Sequence, residues 1–272
     1  MRIYQLLISL FLLFNLNIAA AGQVLVLVHG YWSEGSGWRT AGIVPHLQQA
    51  GWQDQGHLFP NAALPPTGAA YPSDRHLYTI TLPSEAPLPI QAQWLDYFLT
   101  GIQKAHTDDD MILVGHSLGG VVARLSMVNG QFPVKGLITI ASPHLGTDKA
   151  EIGKWIADSP LSWVTPLVGL DTINRSRNLY WDVSREYPAM PLFHLNRTPH
   201  PKARYISIVR ANESNFWTAL VPAYSQDMNN VPALHGRAIT IPSGGGHYLQ
   251  PADGVALVNL LATHFPESET SD

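Results

Sequence analysis

The stretch Met111-Ile112-Leu113-Val114-Gly115-His116-Ser117-Leu118-Gly119-Gly120-Val121-Val122-Ala123-Arg124-Leu125 runs from four consecutive apolar residues, through a glycine-rich turn, into an apolar helical segment. The short apolar run reads as a buried strand, and the segment after the turn reads as a helix. As a bare pattern, Gly-x-Ser-x-Gly arises by chance in roughly one chain of this size in ten, taking glycine near 7%. Its position between a strand and a helix makes it informative. A serine there stands on a sharp turn, and the flanking glycines remove the Cβ atoms that would clash. The helix that follows offers unpaired N–H groups beside it.

Working outward, similar apolar runs predict strands at 24–28, 76–82, 136–141, 204–209 and 237–241. The run Val24-Leu25-Val26-Leu27-Val28 has no polar alternation, as expected of a strand covered on both faces. Helical spacing predicts helices at 38–50, 90–104, 118–128 and 254–264. Strands alternating with helices imply an α/β fold with a mostly parallel sheet. Residues 60–74 form a Pro/Gly/Ala loop, and the tail 267–272 is short and acidic. Residues 148–202 separate two consecutive predicted strands, too long an interval for a structureless loop in a compact domain, so a helical cap is expected there.

The composition narrows the function classes. Only 13% of the 272 residues are charged, about half the usual ~25%, and 46% are hydrophobic, which excludes a disordered chain. A net charge of −4 without a basic stripe argues against nucleic-acid partners. The absence of cysteine excludes disulfides, thiolate metal sites and a cysteine nucleophile. Residues 1–21 carry one charge, Arg2, then an apolar run too short to span a bilayer, then Ala19-Ala20-Ala21. This is the pattern of a secretory signal peptide. A secreted or periplasmic protein is expected, with an uncleaved N-terminal anchor as the alternative, and 22–272 as a single domain.

Four motifs together frame nearly the whole of that domain: VLVLVHG at 24–30, GHSLGG at 115–120, ASPHLGT at 141–147 and GGGH at 244–247. On these the chain resembles the α/β-hydrolase superfamily, in its bacterial lipase and triacylglycerol-esterase branch. The resemblance implies a mostly parallel sheet flanked by helices, compact at the N-terminus, with 148–202 as the cap or lid. It also implies a Ser–acid–His triad in that chain order, with Ser117 as nucleophile. The oxyanion hole would use the backbone N–H groups of Leu118 and Tyr31.

Of twelve histidines, His247 occupies the family's position, after the last strand and before the final helix. His29, His116 and His144 read as structural. The triad acid is expected at Asp227, shortly before Val231-Pro232; Glu213, Asp253 and Asp171 are the alternatives. Here the interval reads D-x-x-x-V-P, one residue longer than the tighter family pattern D-x-x-V-P.

The implied activity is serine carboxylester hydrolysis of hydrophobic acyl esters, such as acylglycerols, through an acyl-serine intermediate. Alternatives are a phospholipase, acyltransferase or amidase with the same triad, or a catalytically silent fold that binds a lipid or a partner. In the cap, Trp155 and Trp163 are candidate substrate-binding residues, or a contact to a lipid surface. Packing of the cap onto the body is the competing reading. No cofactor is expected. No H-x-x-x-H or paired-carboxylate spacing suggests a metal, although calcium at scattered aspartates stays open.

Overall fold

The apolar runs pair side by side in the computed structural model, which describes residues 21–67, 73–130, 132–147, 175–210 and 221–266. Seven strands form one sheet: β1 (Gln23–Val28), β2 (Gln53–Leu58), β3 (Arg75–Ile80), β4 (Asp110–His116), β5 (Val134–Ile140), β6 (Arg204–Arg210) and β7 (Ala238–Ser243). Their order is β2-β3-β1-β4-β5-β6-β7, and every neighbouring pair is parallel. Strand order reverses where β4 follows onto the other side of β1. In open parallel sheets, the crevice beyond the carboxyl ends at such a reversal is where ligands bind.

Helices cover both faces, which explains the unbroken apolar runs. On β1, Val24, Val26 and Val28 pack with α3 (Leu88–Ala105) and α4 (Leu118–Val128) through residues such as Leu95, Phe98 and Val122. Leu25 and Leu27 face the opposite side, against Trp38, Leu47 and Leu257 of α1 (Gly37–Thr40), α2 (Ile43–Gln49) and α8 (Pro251–His264). All six β1 residues are buried.

Three expectations shift. The helix expected over 38–50 is divided at Gly42, which takes φ = +79°, a backbone state that costs glycine little. The last helix begins at Pro251, three residues before the expected start, because Gln250 and Asp253 form a reciprocal capping box. Strand β2 was not expected: QDQGHL is polar and lies at the sheet edge, where one side is open and no apolar period is imposed. Within the cap interval, the described part carries two short helices, α5 (Arg177–Asp182) and α6 (Pro191–Leu195). The first is tied to the rest of the fold by Asp182 Oδ2, which accepts the Leu88 N–H at 2.8 Å, and by the Arg175–Glu85 ion pair at 2.6 Å. The short helix α7 (Ala223–Gln226) lies between β6 and β7.

Candidate active site

Ser117 stands at the carboxyl end of β4 and opens α4, with φ = +50° and ψ = −127°. A non-glycine residue at positive φ costs on the order of 1–3 kcal/mol, and the surroundings must hold it there. The glycines show how. A Cβ on Gly115 would collide with the backbone of Gly120, one on Gly119 with the carbonyls of Val28 and His29, and one on Gly120 with Ser142. The strand, the helix and the β1 loop are therefore pressed together around the turn. Gly30 completes the arrangement, since a Cβ there would lie 2.9 Å from the Cβ of Ser117.

The loop between β7 and α8 brings His247 to this serine, with Nε2 2.9 Å from Ser117 Oγ. Three anchors hold the loop. His116 Nε2 donates to the His247 carbonyl at 2.7 Å, so the residue beside the nucleophile supports the histidine from behind. Arg210, at the end of β6, donates through Nη1 to the carbonyls of Gly246 and Tyr248, the second at 2.5 Å. Its Nη2 binds both oxygens of Asp253 at 2.5 Å, and Asp253 also accepts the Gln250 N–H at 2.9 Å. Arg210 and Asp253 are almost wholly buried, at 1% and 2% exposure, so this pair is a fixed internal brace. Nothing local in the sequence marks Arg210, because an arginine ending a strand reads as solvent-exposed. Burial, followed by the nearby His116 and Arg210, pushes the His247 pKa well below 6.5 and keeps the ring neutral.

No hydrogen bond joins Asp227 to His247. Asp227 Oδ1 accepts the Asn229 N–H at 2.9 Å and the Thr240 hydroxyl at 2.8 Å, capping the turn Met228–Asn230. An aspartate two residues before a free N–H closes an Asx-type turn, and that local bond holds the carboxylate alongside the sheet. Through the register Gly115–Thr139–Ser207–Thr240, Thr240 lies level with Gly115, two residues or about 7 Å along the strands from Ser117. Asp253 is committed to Arg210. Among the described residues no carboxylate hydrogen-bonds His247; Glu213 and Asp171 lie outside them.

A family model described as the alpha/beta hydrolase family matches residues 25–258. The chain belongs to the alpha/beta hydrolase family. Solved structures share its fold. The product of the lin2722 gene of Listeria innocua superposes with a TM-score of 0.61 at 14% identity, over 92% of this chain and 96% of that one. The mature lipase BlEst2 of Bacillus licheniformis gives 0.56 at 15% identity, over 92% and 94%. A lipase-esterase related protein of Clostridium acetobutylicum gives 0.54 at 11% identity, over 90% and 97%. No curated protein matches the chain.

In this hydrolase, Leu118 begins α4, so helix geometry leaves its N–H without an i−4 carbonyl partner. Tyr31 follows Gly30 into the same site. Its hydroxyl lies 2.9 Å from Ser176 Oγ and 2.8 Å from Tyr180 Oη, linking the β1 loop to the α5 segment. His29 is structural: Nδ1 donates to the Gly30 carbonyl at 2.7 Å and Nε2 accepts the Leu82 N–H at 2.9 Å. Those roles require a neutral ring, and burial lowers its pKa to about 4. His144 is also structural. It is fully buried against Thr139, and its carbonyl accepts from Arg124 and Asn196.

Two concavities meet at the Ser117–His247 pair. One is an apolar cavity of about 60 Å³, bounded by Leu118, Pro143, Leu179, Tyr180, Val183 and Val221. The other, about 200 Å³, runs past Trp32, Ser33, Tyr248 and Leu249 on the far side of the histidine. The α5 segment therefore reaches the site through Leu179, Tyr180 and Val183. Trp155 and Trp163 lie outside the described residues.

Proposed function

We propose that this hydrolase is a serine carboxylester hydrolase acting on hydrophobic esters. The observation that carries the reading is the 2.9 Å contact between His247 Nε2 and a serine oxygen held on a strained elbow. His247 takes the hydroxyl proton as Ser117 Oγ attacks the ester carbonyl. The resulting oxyanion is received by the N–H groups of Leu118 and Tyr31, each typically worth ~2.7–4 kcal/mol of transition-state stabilisation. Collapse expels the alcohol, which takes the proton back from His247 and leaves an acyl-Ser117. Water then attacks with His247 again acting as base, and releases the acid.

The apolar cavity suits the acyl group, and the wider groove suits the alcohol and the incoming water. The concavity is small, about 60 Å³, and lined mostly by apolar side chains, which suits the start of an acyl chain. The test is turnover of p-nitrophenyl acetate, butyrate and palmitate by wild type and Ser117→Ala. Wild type is expected to favour butyrate over palmitate, with activity lost in the variant. A folded wild type that cleaves none of the esters overturns the reading.

Export through residues 1–21 belongs to the same proposal. Among the described residues, no helix is long and apolar enough to cross a membrane. Cell fractionation with N-terminal sequencing tests it: a mature chain starting near Gly22 outside the cytoplasm is expected.

A further inference from the structure

At the opposite end of the sheet, three side chains far apart in the sequence converge. His76 is the second residue of β3, while His106 and Asp109 lie on the turn from α3 into β4. Register places the amino ends of β3 and β4 on either side of β1, since Gln23 pairs with both Arg75 and Asp110. One ligand atom from each of the three residues lies within 4.8 Å of the other two. His106 Nδ1 is 3.0 Å from Asp109 Oδ2, and His76 Nε2 is 4.0 Å from the same oxygen. Both histidine side chains are almost fully buried, and the carboxylate is about one-fifth exposed.

We propose that His76, His106 and Asp109 form a structural binding site for a zinc-type divalent cation. Bonds of 2.0–2.2 Å in tetrahedral geometry put ligand atoms about 3.3–3.6 Å apart, and the observed 3.0 and 4.0 Å straddle that spacing. Two imidazoles and one carboxylate are a borderline-soft set suited to zinc rather than to calcium or magnesium. The second nitrogen of each ring is already oriented. His106 Nε2 is 2.8 Å from the buried hydroxyl of Tyr78, and His76 Nδ1 is 3.1 Å from Gln55 Nε2, an amide that must turn its oxygen to this nitrogen when His76 Nε2 takes the metal. Such outer contacts fix the ring tautomer and direction in metal sites.

Gly22 closes the pocket, since a Cβ there would sit 2.6 Å from Asp109 Oδ1. The carboxylate is the most exposed of the three groups, which leaves a fourth position for water on its side. The site lies about 25 Å from Ser117 along β4 at the usual strand rise, so the ion ties β3 to the α3–β4 turn and takes no part in the ester chemistry.

The experiment uses the full chain without a polyhistidine tag, stripped with chelator and then given zinc chloride. Metal analysis is expected to find one zinc per chain. At a hundredfold excess over Kd, melting should rise by about 5 °C or more. Cobalt in place of zinc should show the visible bands of a tetrahedral site. His76→Gln and Asp109→Asn should abolish uptake and the melting shift, yet leave ester turnover at 25 °C unchanged. Asp109→Asn keeps an acceptor for the His106 ring and so preserves the fold. No uptake by folded wild type, or uptake equal in wild type and both variants, overturns the site. Neither result bears on the Ser117 chemistry, because the two readouts are separate.

Discussion

Replacing Arg210 with methionine should damage the site from a distance, without touching Ser117 or His247. The guanidinium makes four hydrogen bonds: two to the Gly246 and Tyr248 carbonyls flanking His247, and two to Asp253. Arg210→Met leaves a carboxylate that is 2% exposed without its cation, and breaking one side of a buried pair costs about 3–5 kcal/mol. The two orphaned carbonyls add to that cost, each by about 1–3 kcal/mol at most. Since a domain holds only ~5–15 kcal/mol in total, these costs take most of it, and the urea midpoint should be strongly lowered.

The second effect is catalytic. A loop no longer clamped on both sides of His247 lets the imidazole drift, and a displacement near 1 Å costs roughly a hundredfold in rate. The assay pairs urea unfolding with kcat for p-nitrophenyl butyrate, adding the double variant Arg210→Met/Asp253→Leu. Removing the stranded carboxylate should return part of the stability, but kcat should stay low, because the loop carbonyls are still unheld. An Arg210→Met protein within 1 kcal/mol of wild type and equally active would refute the brace.

Asp227→Asn keeps an oxygen acceptor for Asn229 and Thr240, so hydrolysis should change by no more than about threefold. Loss of a triad acid costs on the order of 10⁴ instead. Glu213, three residues past the end of β6 and therefore in the family's chain position for the acid, should be the costlier change as Glu213→Gln; equal rates in both variants would contradict that ordering. Acid should also weaken the fold. The buried His29 and His116 have folded pKa values of about 4 against 6.5 unfolded. Their contribution is whole above pH 6.5 and is lost as pH falls toward 4, because the unfolded chain takes up the protons first. At pH 5.5 each loses on the order of 1 kcal/mol, so the urea midpoint should fall clearly between pH 7.5 and 5.5, and an unchanged midpoint would contradict the buried neutral rings.

Ser117 and His247 were legible because each is announced locally: one by a turn that only glycines permit, the other by its place between the last strand and the last helix. β1 was legible because burial on both faces leaves an unbroken apolar run. Asp227 was expected as the acid, and no hydrogen bond joins it to His247. Whether an aspartate beside Val-Pro reaches the histidine depends on how far along the sheet its turn sits. In this chain Asn229 and Thr240 take the carboxylate first. Arg210 was invisible because its partners lie 36 to 43 residues away, and its burial is a property of the closed fold. β2 lacked a signal because an edge strand with one open side has no need of apolar alternation. His76 and Asp109 were hidden by sequence distance, and only the parallel register brings them together.

The central claim is that Ser117, activated by His247, is the nucleophile. The most direct test is reaction with a fluorophosphonate followed by peptide mass spectrometry and residual ester turnover. The account predicts one adduct per chain, located on Ser117, with activity falling in proportion and with labelling abolished in Ser117→Ala and strongly slowed in His247→Ala. Full labelling at another residue, or a Ser117 adduct that leaves turnover intact, would contradict it.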